Sequence, residues 1–256
     1  MIHPTAIVNK NTQLGKKVKI GAYSIVGEDV VIGDGTEVKE RVVLENVHIG
    51  RNCQIFSGAV IGTIPQDLKF KGEESRVKIG DNNIIREYVT INRGTAAKGE
   101  TVIGNNNLIM AYSHIAHDCL LGDEIIIANA GNLAGHVNVE NKVVIGGLVA
   151  VHQFVHIGEL SIIGGCSKVI KDIPPYSLTD GHPAKVYGLN RVGLRRANFS
   201  QELIEELRKA FKVIFFSSLP LNVALEKIEK SSSCPQILHL IEFIRSSKRG
   251  IAKGIR

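Results

Sequence analysis

The chain has 256 residues, 44% of them hydrophobic, a formal net charge of +6 and no tryptophan. That composition supports one or two folded domains with a sizeable core, while no apolar run approaches the ~18 residues of a membrane span and MIHPTAIVNKN lacks the plan of a signal peptide. Few aromatics and no nucleic-acid-binding signature argue against a nucleic-acid partner, and four scattered cysteines (Cys53, Cys119, Cys166, Cys234) suggest neither a disulfide framework nor a cysteine zinc site, so a cytoplasmic protein is expected.

Aliphatic residues fall six apart from Ile2 to Leu44, resume after a one-residue deletion at Ile49, Ile55 and Ile61, continue at Ile79, Ile85 and Ile91, and run unbroken from Ile103 to Val169. Glycine often follows the aliphatic residue, and a small or β-branched residue stands four places after it. A period of six fits neither a helix nor an alternating strand; it is the hexapeptide signature of a parallel β-helix, three hexads to a coil of roughly 18 residues. The aliphatic and small positions fill the prism, which makes Cys53 and Cys119 core residues.

Two stretches break the pattern without losing phase, TIPQDLKFKGEESRVK (63–78) and NRGTAAKGET (92–101). Both are expected to be loops leaving the prism, where function tends to sit. The repeat stops after Val169, so 1–171 is expected to be the β-helix and 172–199, rich in proline and glycine, an irregular linker. Helical spacing begins at Ser200, a plausible N-cap, with Leu203, Ile204, Leu207, Phe211, Ile214 and Phe215. A second helix is marked by Leu225 and Ile228, and a third, with Pro235 in its first turn, by Leu238, Ile241 and Ile244. Residues 200–256 are therefore expected to be a small α-helical domain. Basic residues concentrate in this C-terminal third.

Residues one coil apart stack about 4.8 Å from each other. This sets His117 beside Gly135 and then Gln153, Asp118 beside His136 and then Phe154, and His152 beside Ala134. Five of nine histidines (His114, His117, His136, His152, His156) fall between 114 and 156. Singly, each reads as an outward-facing surface residue. A zinc site needs three converging nitrogens, and no such motif is recognisable. The remaining reading is base catalysis, with an imidazole taking a hydroxyl proton, a carboxylate holding the tautomer and the Gly135 N–H serving as oxyanion donor. Neighbouring residues on a strand face opposite ways, so the sequence leaves open whether Asp118 reaches His117.

The hexads together with PQDLKF, TINRGT, SHIAHDC, LAGHV, GLVAVHQF, IIGGCS, DIPPYS and GLNRVGLRR resemble, across essentially the whole chain, the acyl-carrier-protein:UDP-N-acetylglucosamine O-acyltransferases. These enzymes catalyse the first step of lipid A synthesis. The resemblance implies a left-handed β-helix, a cytoplasmic homotrimer with sites between prisms, no cofactor and no metal. It makes His117 the base for the sugar 3-hydroxyl, Asp118 its support and Gly135 the oxyanion donor. Asp67, Lys69, His114, His136, His152 and Gln153 match positions that contact sugar nucleotide or acyl group, Asn190 and Arg196 match positions at the nucleotide end, and Gly165 matches the acyl-chain ruler. The partners implied are acyl carrier protein, whose acidity suits Arg191, Arg195 and Arg196, and UDP-N-acetylglucosamine. Two residues depart from the pattern: Asn92, where many relatives have His, and Val192, where many have Glu. Some relatives prefer a 3-amino sugar. The rivals are a zinc enzyme of the same fold, a silent assembly scaffold, and a related N-acyltransferase whose extra N-terminal domain has no counterpart before Ile2.

Overall fold

The computed structural model describes residues 1–255. Its first two thirds are a left-handed parallel β-helix whose strands form three sheets of nine, eight and ten members, the last counting two strands that follow the prism. The first face begins at Ile7–Val8 and ends at Lys168–Val169; the second runs from Gln13–Leu14 to His156–Ile157; the third starts at Lys19–Ile20. On each face a strand pairs in parallel with the strand one coil on, as His114 with Asn132 and Ile115 with Leu133. The aliphatic member of each hexad points inward, and Ile55, Ile61, Ile91, Ile109, Ile115 and Ile145 are fully buried. Each such side chain contributes about 1.5–3 kcal/mol by leaving water. Cys53 and Cys119 lie in the same core, with burial pushing the Cys119 thiol up to about 12.

From Lys17 onward the corners turn mostly through one residue in the left-handed region, a recurrence that includes Tyr112, Asp118, Glu124, Ala130 and His136. This is the geometric reason for the period: two residues of strand, then a turn whose positive φ re-aims the chain. Asparagines brace the corners. Asn107 accepts from the backbone N–H of Ile125 and donates to the Gly122 carbonyl, and Asn83 does the same for Asn107 and Gly104.

Both interruptions leave the prism at one corner, between the first and second faces. Strand Val60–Thr63 precedes the first loop and Arg76–Ile79 follows it; Thr90–Asn92 precedes the second and Glu100–Ile103 follows it. The ends of the two stretches expected to be loops are thus strand, because their terminal residues still find ladder partners on neighbouring coils. Thr90 and His114, adjacent on the first face, stand 24 residues apart in the chain.

Residues 172–199 differ from the irregular linker expected. They hold an antiparallel hairpin, Ser177–Gly181 with Ala184–Leu189, that extends the third face, and a short helix, α1 (Arg191–Arg196). Prolines 174 and 175 precede the hairpin and do not enter its ladder, so their turn signal hid it. Beyond lie α2 (Gln201–Phe216), α3 (Leu221–Ser231) and α4 (Pro235–Ser246), with Ser200 capping α2 through the Leu203 N–H. The buried face of α4 is Ile237, Leu240, Ile241 and Ile244, whose 3- and 4-residue spacing turns Leu238 outward. Glu140 on the second face joins the helices to the prism: one carboxylate oxygen lies 3.0 Å from His156 Nε2 and the other 3.1 Å from His239 Nε2 on α4, while Tyr176 meets the far nitrogen of His239.

Candidate active site

The corner that releases both loops also carries, on successive coils, His117–Asp118, Gly135–His136 and Gln153–Phe154. Asp118 and His136 occupy the left-handed turn positions, with φ of 59° and 62°. That twist brings the Asp118 carboxylate round to its neighbour, and its Oδ2 lies 2.7 Å from Nδ1 of His117. The alternation rule for strands does not apply at a corner, so the pair the sequence left open is formed.

Asp118 is fully buried. Burial opposes its ionisation, but hydrogen bonds from the His117 ring and from the Thr95 hydroxyl and backbone N–H outweigh that and hold the carboxyl below its ordinary value. An ionised carboxylate only accepts, so Nδ1 of His117 must carry the proton and Nε2 keeps a free lone pair. The His117 ring lies across Gly135: a Cβ there would come within 2.6 Å of Cε1 and 2.7 Å of Nε2. Among the described residues nothing accepts from the Gly135 N–H. A proton acceptor and an unspent N–H donor thus share one small space, the pairing an acyl transfer requires.

His136 meets the His117 ring edge-on, with centroids 5.1 Å apart, and stacks on Phe154 at 4.4 Å. Its pKa is lowered chiefly by burial, against the pull of Asp118, whose Oδ2 is 3.7 Å from its Nε2. His114 is bonded through Nδ1 to Thr90 Oγ1 at 2.7 Å, and burial lowers its pKa as well. Asp67 and Lys69 stand in the first loop, joined by a Lys69 N–H to Asp67 Oδ1 bond, and the charge of Asp67 is felt at His136. Asn92 is buried and ties the two loops together through bonds from Nδ2 to Thr63 Oγ1 and the Ile64 carbonyl.

His152 and Gln153 are exposed one coil further on, the His152 ring near the Arg249 guanidinium. Gly165 lies at a different corner, between the third and first faces, stacked over Gly147. Asn190 has both side-chain groups occupied within the fold: Oδ1 caps α1 at Gly193 and Nδ2 donates to the Leu160 carbonyl. Arg191, Arg195, Arg196 and Val192 are exposed on α1. The structure therefore brings His117, Asp118, Gly135 and His136 together, with the loop carrying Asp67 beside them. Within one chain, Gly165, Asn190 and Arg196 sit elsewhere. Sequence reasoning missed Thr95, whose only signal was its place in a phase-preserving loop.

His117, Asp118 and His136 also offer three ligand atoms within 4.8 Å of one another, a spacing a metal ion can use. Those atoms are largely spent: Nδ1 of His117 on Asp118, and both carboxylate oxygens on Thr95. The donor set is a hydrogen-bond relay more than an open coordination shell.

Residues 172–252 match the family described as UDP N-acetylglucosamine O-acyltransferase, domain 2, and residues 11–46 and 100–130 match bacterial transferase hexapeptide repeats. An acyl-[acyl-carrier-protein]–UDP-N-acetylglucosamine O-acyltransferase of Thermodesulfovibrio yellowstonii is 51% identical over 98% of this chain and 99% of its own. Among solved structures, a UDP-N-acetylglucosamine acyltransferase from Bacteroides fragilis superposes with a TM-score of 0.97 at 44% identity, covering 100% of both chains. One from Acinetobacter baumannii gives 0.96 at 42%, covering 98% and 99%.

Proposed function

The chain belongs to the UDP-N-acetylglucosamine O-acyltransferase family, and from that premise we propose that it moves an (R)-3-hydroxyacyl chain from acyl carrier protein to the 3-hydroxyl of UDP-N-acetylglucosamine, the first step of lipid A synthesis, by direct general-base attack. The observation that carries the mechanism is the Nδ1 bond from His117 to Asp118, which leaves Nε2 free beside the Gly135 N–H. Nε2 takes the hydroxyl proton as the sugar oxygen bonds to the thioester carbonyl carbon. The oxyanion is held by the Gly135 N–H. The carbon–sulfur bond then breaks, and the imidazolium returns its proton to the leaving phosphopantetheine thiolate, so the base is regenerated without an acyl-enzyme. The carboxylate steadies the imidazolium in between. Cys119, buried and with its thiol pKa raised, is unsuited to a nucleophile's part.

Around this centre Asp67, Lys69, His114, His136, His152 and Gln153 would position sugar and acyl group, and Arg196, on the helix that Asn190 caps, the nucleotide, from a neighbouring copy where one chain cannot reach. A trimer is supported by an unpartnered apolar ladder on the corner between the third and first faces, where Tyr88 stacks on Tyr112 at 5.2 Å and both, like Leu148, are exposed. Exposed Arg191, Arg195 and Arg196 would steer an acidic carrier protein. Four unpaired cysteines suit a cytoplasmic setting, and no described helix is long and apolar enough to cross a membrane.

The test is an assay of purified protein with hydroxyacyl carrier proteins of several lengths and with UDP-N-acetylglucosamine or its 3-amino analogue. An ester product at the 3-position is expected. Absence of transfer to the hydroxyl sugar with every donor would end this reading.

A further inference from the structure

We propose that Thr95 is a positioning residue for the base, holding the Asp118 carboxylate turned toward Nδ1 of His117 from a loop 23 residues away in the chain. This rests on His117 being the base. Thr95 stands in the loop after strand Thr90–Asn92, and that loop folds back over the corner of the next coil. It is buried, and it supplies two donors to one carboxylate: the backbone N–H to Oδ1 at 3.0 Å and the hydroxyl to Oδ2 at 2.7 Å. The Asp118 backbone is gripped as well, with Lys98 Nζ from the same loop donating to its carbonyl at 2.8 Å and Thr101 Oγ1, on the strand that follows the loop, accepting its N–H at 2.9 Å. Thr95 is itself fixed by a tight turn, in which Gly99 N–H donates to its carbonyl at 2.7 Å.

A fully buried carboxylate is ionised only if its lone pairs are met. Here Oδ1 depends on Thr95, while Oδ2 is shared between Thr95 and His117, with His136 Nε2 at 3.7 Å. The charged or titratable groups facing it are thus His117, His136 and the Lys98 ammonium. Removing the hydroxyl leaves one histidine bond and one backbone bond against the cost of burial. Asp118 then gains a proton more readily. A protonated Asp118 donates to Nδ1 instead of accepting from it, which moves the imidazole proton to Nε2 and blocks the atom that must receive the sugar proton. The loop that interrupts the hexads is on this reading part of the catalytic apparatus.

The experiment compares Thr95→Val, which keeps shape and loses the hydroxyl, with Thr95→Ser, which restores it. In Thr95→Val, kcat should fall roughly 10- to 100-fold, the scale of one hydrogen bond to a charged group, with KM for UDP-N-acetylglucosamine unchanged. The acid limb of the kcat/KM pH profile should move to higher pH. Thr95→Ser should return both toward the parent protein. Nitrogen NMR of the histidine rings gives a second readout: the His117 proton sits on Nδ1 in the parent protein and shifts toward Nε2 in Thr95→Val. If Thr95→Val does not fold, Thr95→Ala is read the same way. Parent-like kcat and an unmoved acid limb in a folded hydroxyl-less variant would overturn the proposal. Failure of the base assignment is separable, since it would show as normal turnover in His117→Ala, whatever Thr95 does.

Discussion

His117 and Asp118, consecutive in the chain, are hydrogen-bonded to each other through Nδ1 and Oδ2 at 2.7 Å because Asp118 sits at a left-handed corner that turns its carboxylate back along the coil. The bond dictates the tautomer, and the tautomer dictates which nitrogen can act. His117→Ala should lower kcat by at least about 100-fold, the usual loss on removing a general base. The ring lies at the prism edge, outside the hydrophobic core, so little core packing is lost. Circular dichroism unchanged alongside the kinetic loss is the expected result; turnover close to the parent's in a folded protein would remove His117 from the mechanism.

Gly135→Ala separates ring placement from donor chemistry. The N–H survives the substitution, and Gly135 has no left-handed φ to strain. The new methyl, however, would stand 2.6 Å from His117 Cε1, so the imidazole must swing away. A displacement on the order of 1 Å costs about 100-fold in rate. Single-turnover kinetics should show that loss in the chemical step with substrate affinity nearly kept.

The fold was legible because the β-helix writes itself into the sequence: Ile103 through Val169 occupy equivalent inward positions, and any other phase would expose them. The stacking of His117 on Gly135 and of Asp118 on His136 follows from that phase alone. Three features were not legible, each for a physical reason. The bond from Thr95 to Asp118 depends on the path of an aperiodic loop. The hairpin at 177–189 pairs with the last coil, and its flanking Pro174 and Pro175 look like a loop from sequence alone. Asn190 reads as a polar ligand, yet both ends of its amide serve the fold. Residue type cannot show where a side chain's hydrogen bonds go.

Gly165 invites a test of acyl length. A Cβ there would meet nothing nearer than the Gly147 carbonyl oxygen at 3.3 Å, whereas at Gly164 one would run into Asp180 at 2.5 Å. The backbone therefore needs glycine at 164 for packing, while at 165 a side chain asks the Gly147 carbonyl to give by a few tenths of an ångström. Gly165→Met should still fold, with a modestly lowered melting temperature, and shift the preferred donor to a shorter hydroxyacyl chain. Competition between acyl carrier proteins of mixed chain length measures this directly, and an unaltered profile would move the ruler elsewhere.

Glu140 makes the junction between prism and helices depend on pH in both directions. Burial raises its pKa, but His156, His239 and the Glu159 N–H outweigh that and hold it at about 2. A depressed carboxyl contributes stability that is present above its unfolded pKa of ~4.3 and is lost as pH falls toward the folded value. His239 is shifted the other way, raised chiefly by its bond to Glu140 against the cost of burial. Its contribution is complete below its unfolded pKa of ~6.5 and is lost as pH rises through the higher folded value. The clasp is thus strongest between about pH 5 and 6.5. Glu140→Gln removes the charge on which both limbs depend. Thermal unfolding followed from pH 4 to 9 should show the parent protein losing melting temperature on either side of that window, and Glu140→Gln starting lower with a flatter profile. The α4 contacts of Ile237, Leu240 and Ile241 remain in the variant, so its helical content should persist at 25 °C. Parallel profiles for the two proteins would mean that the charge on Glu140 does not hold the helical domain to the prism.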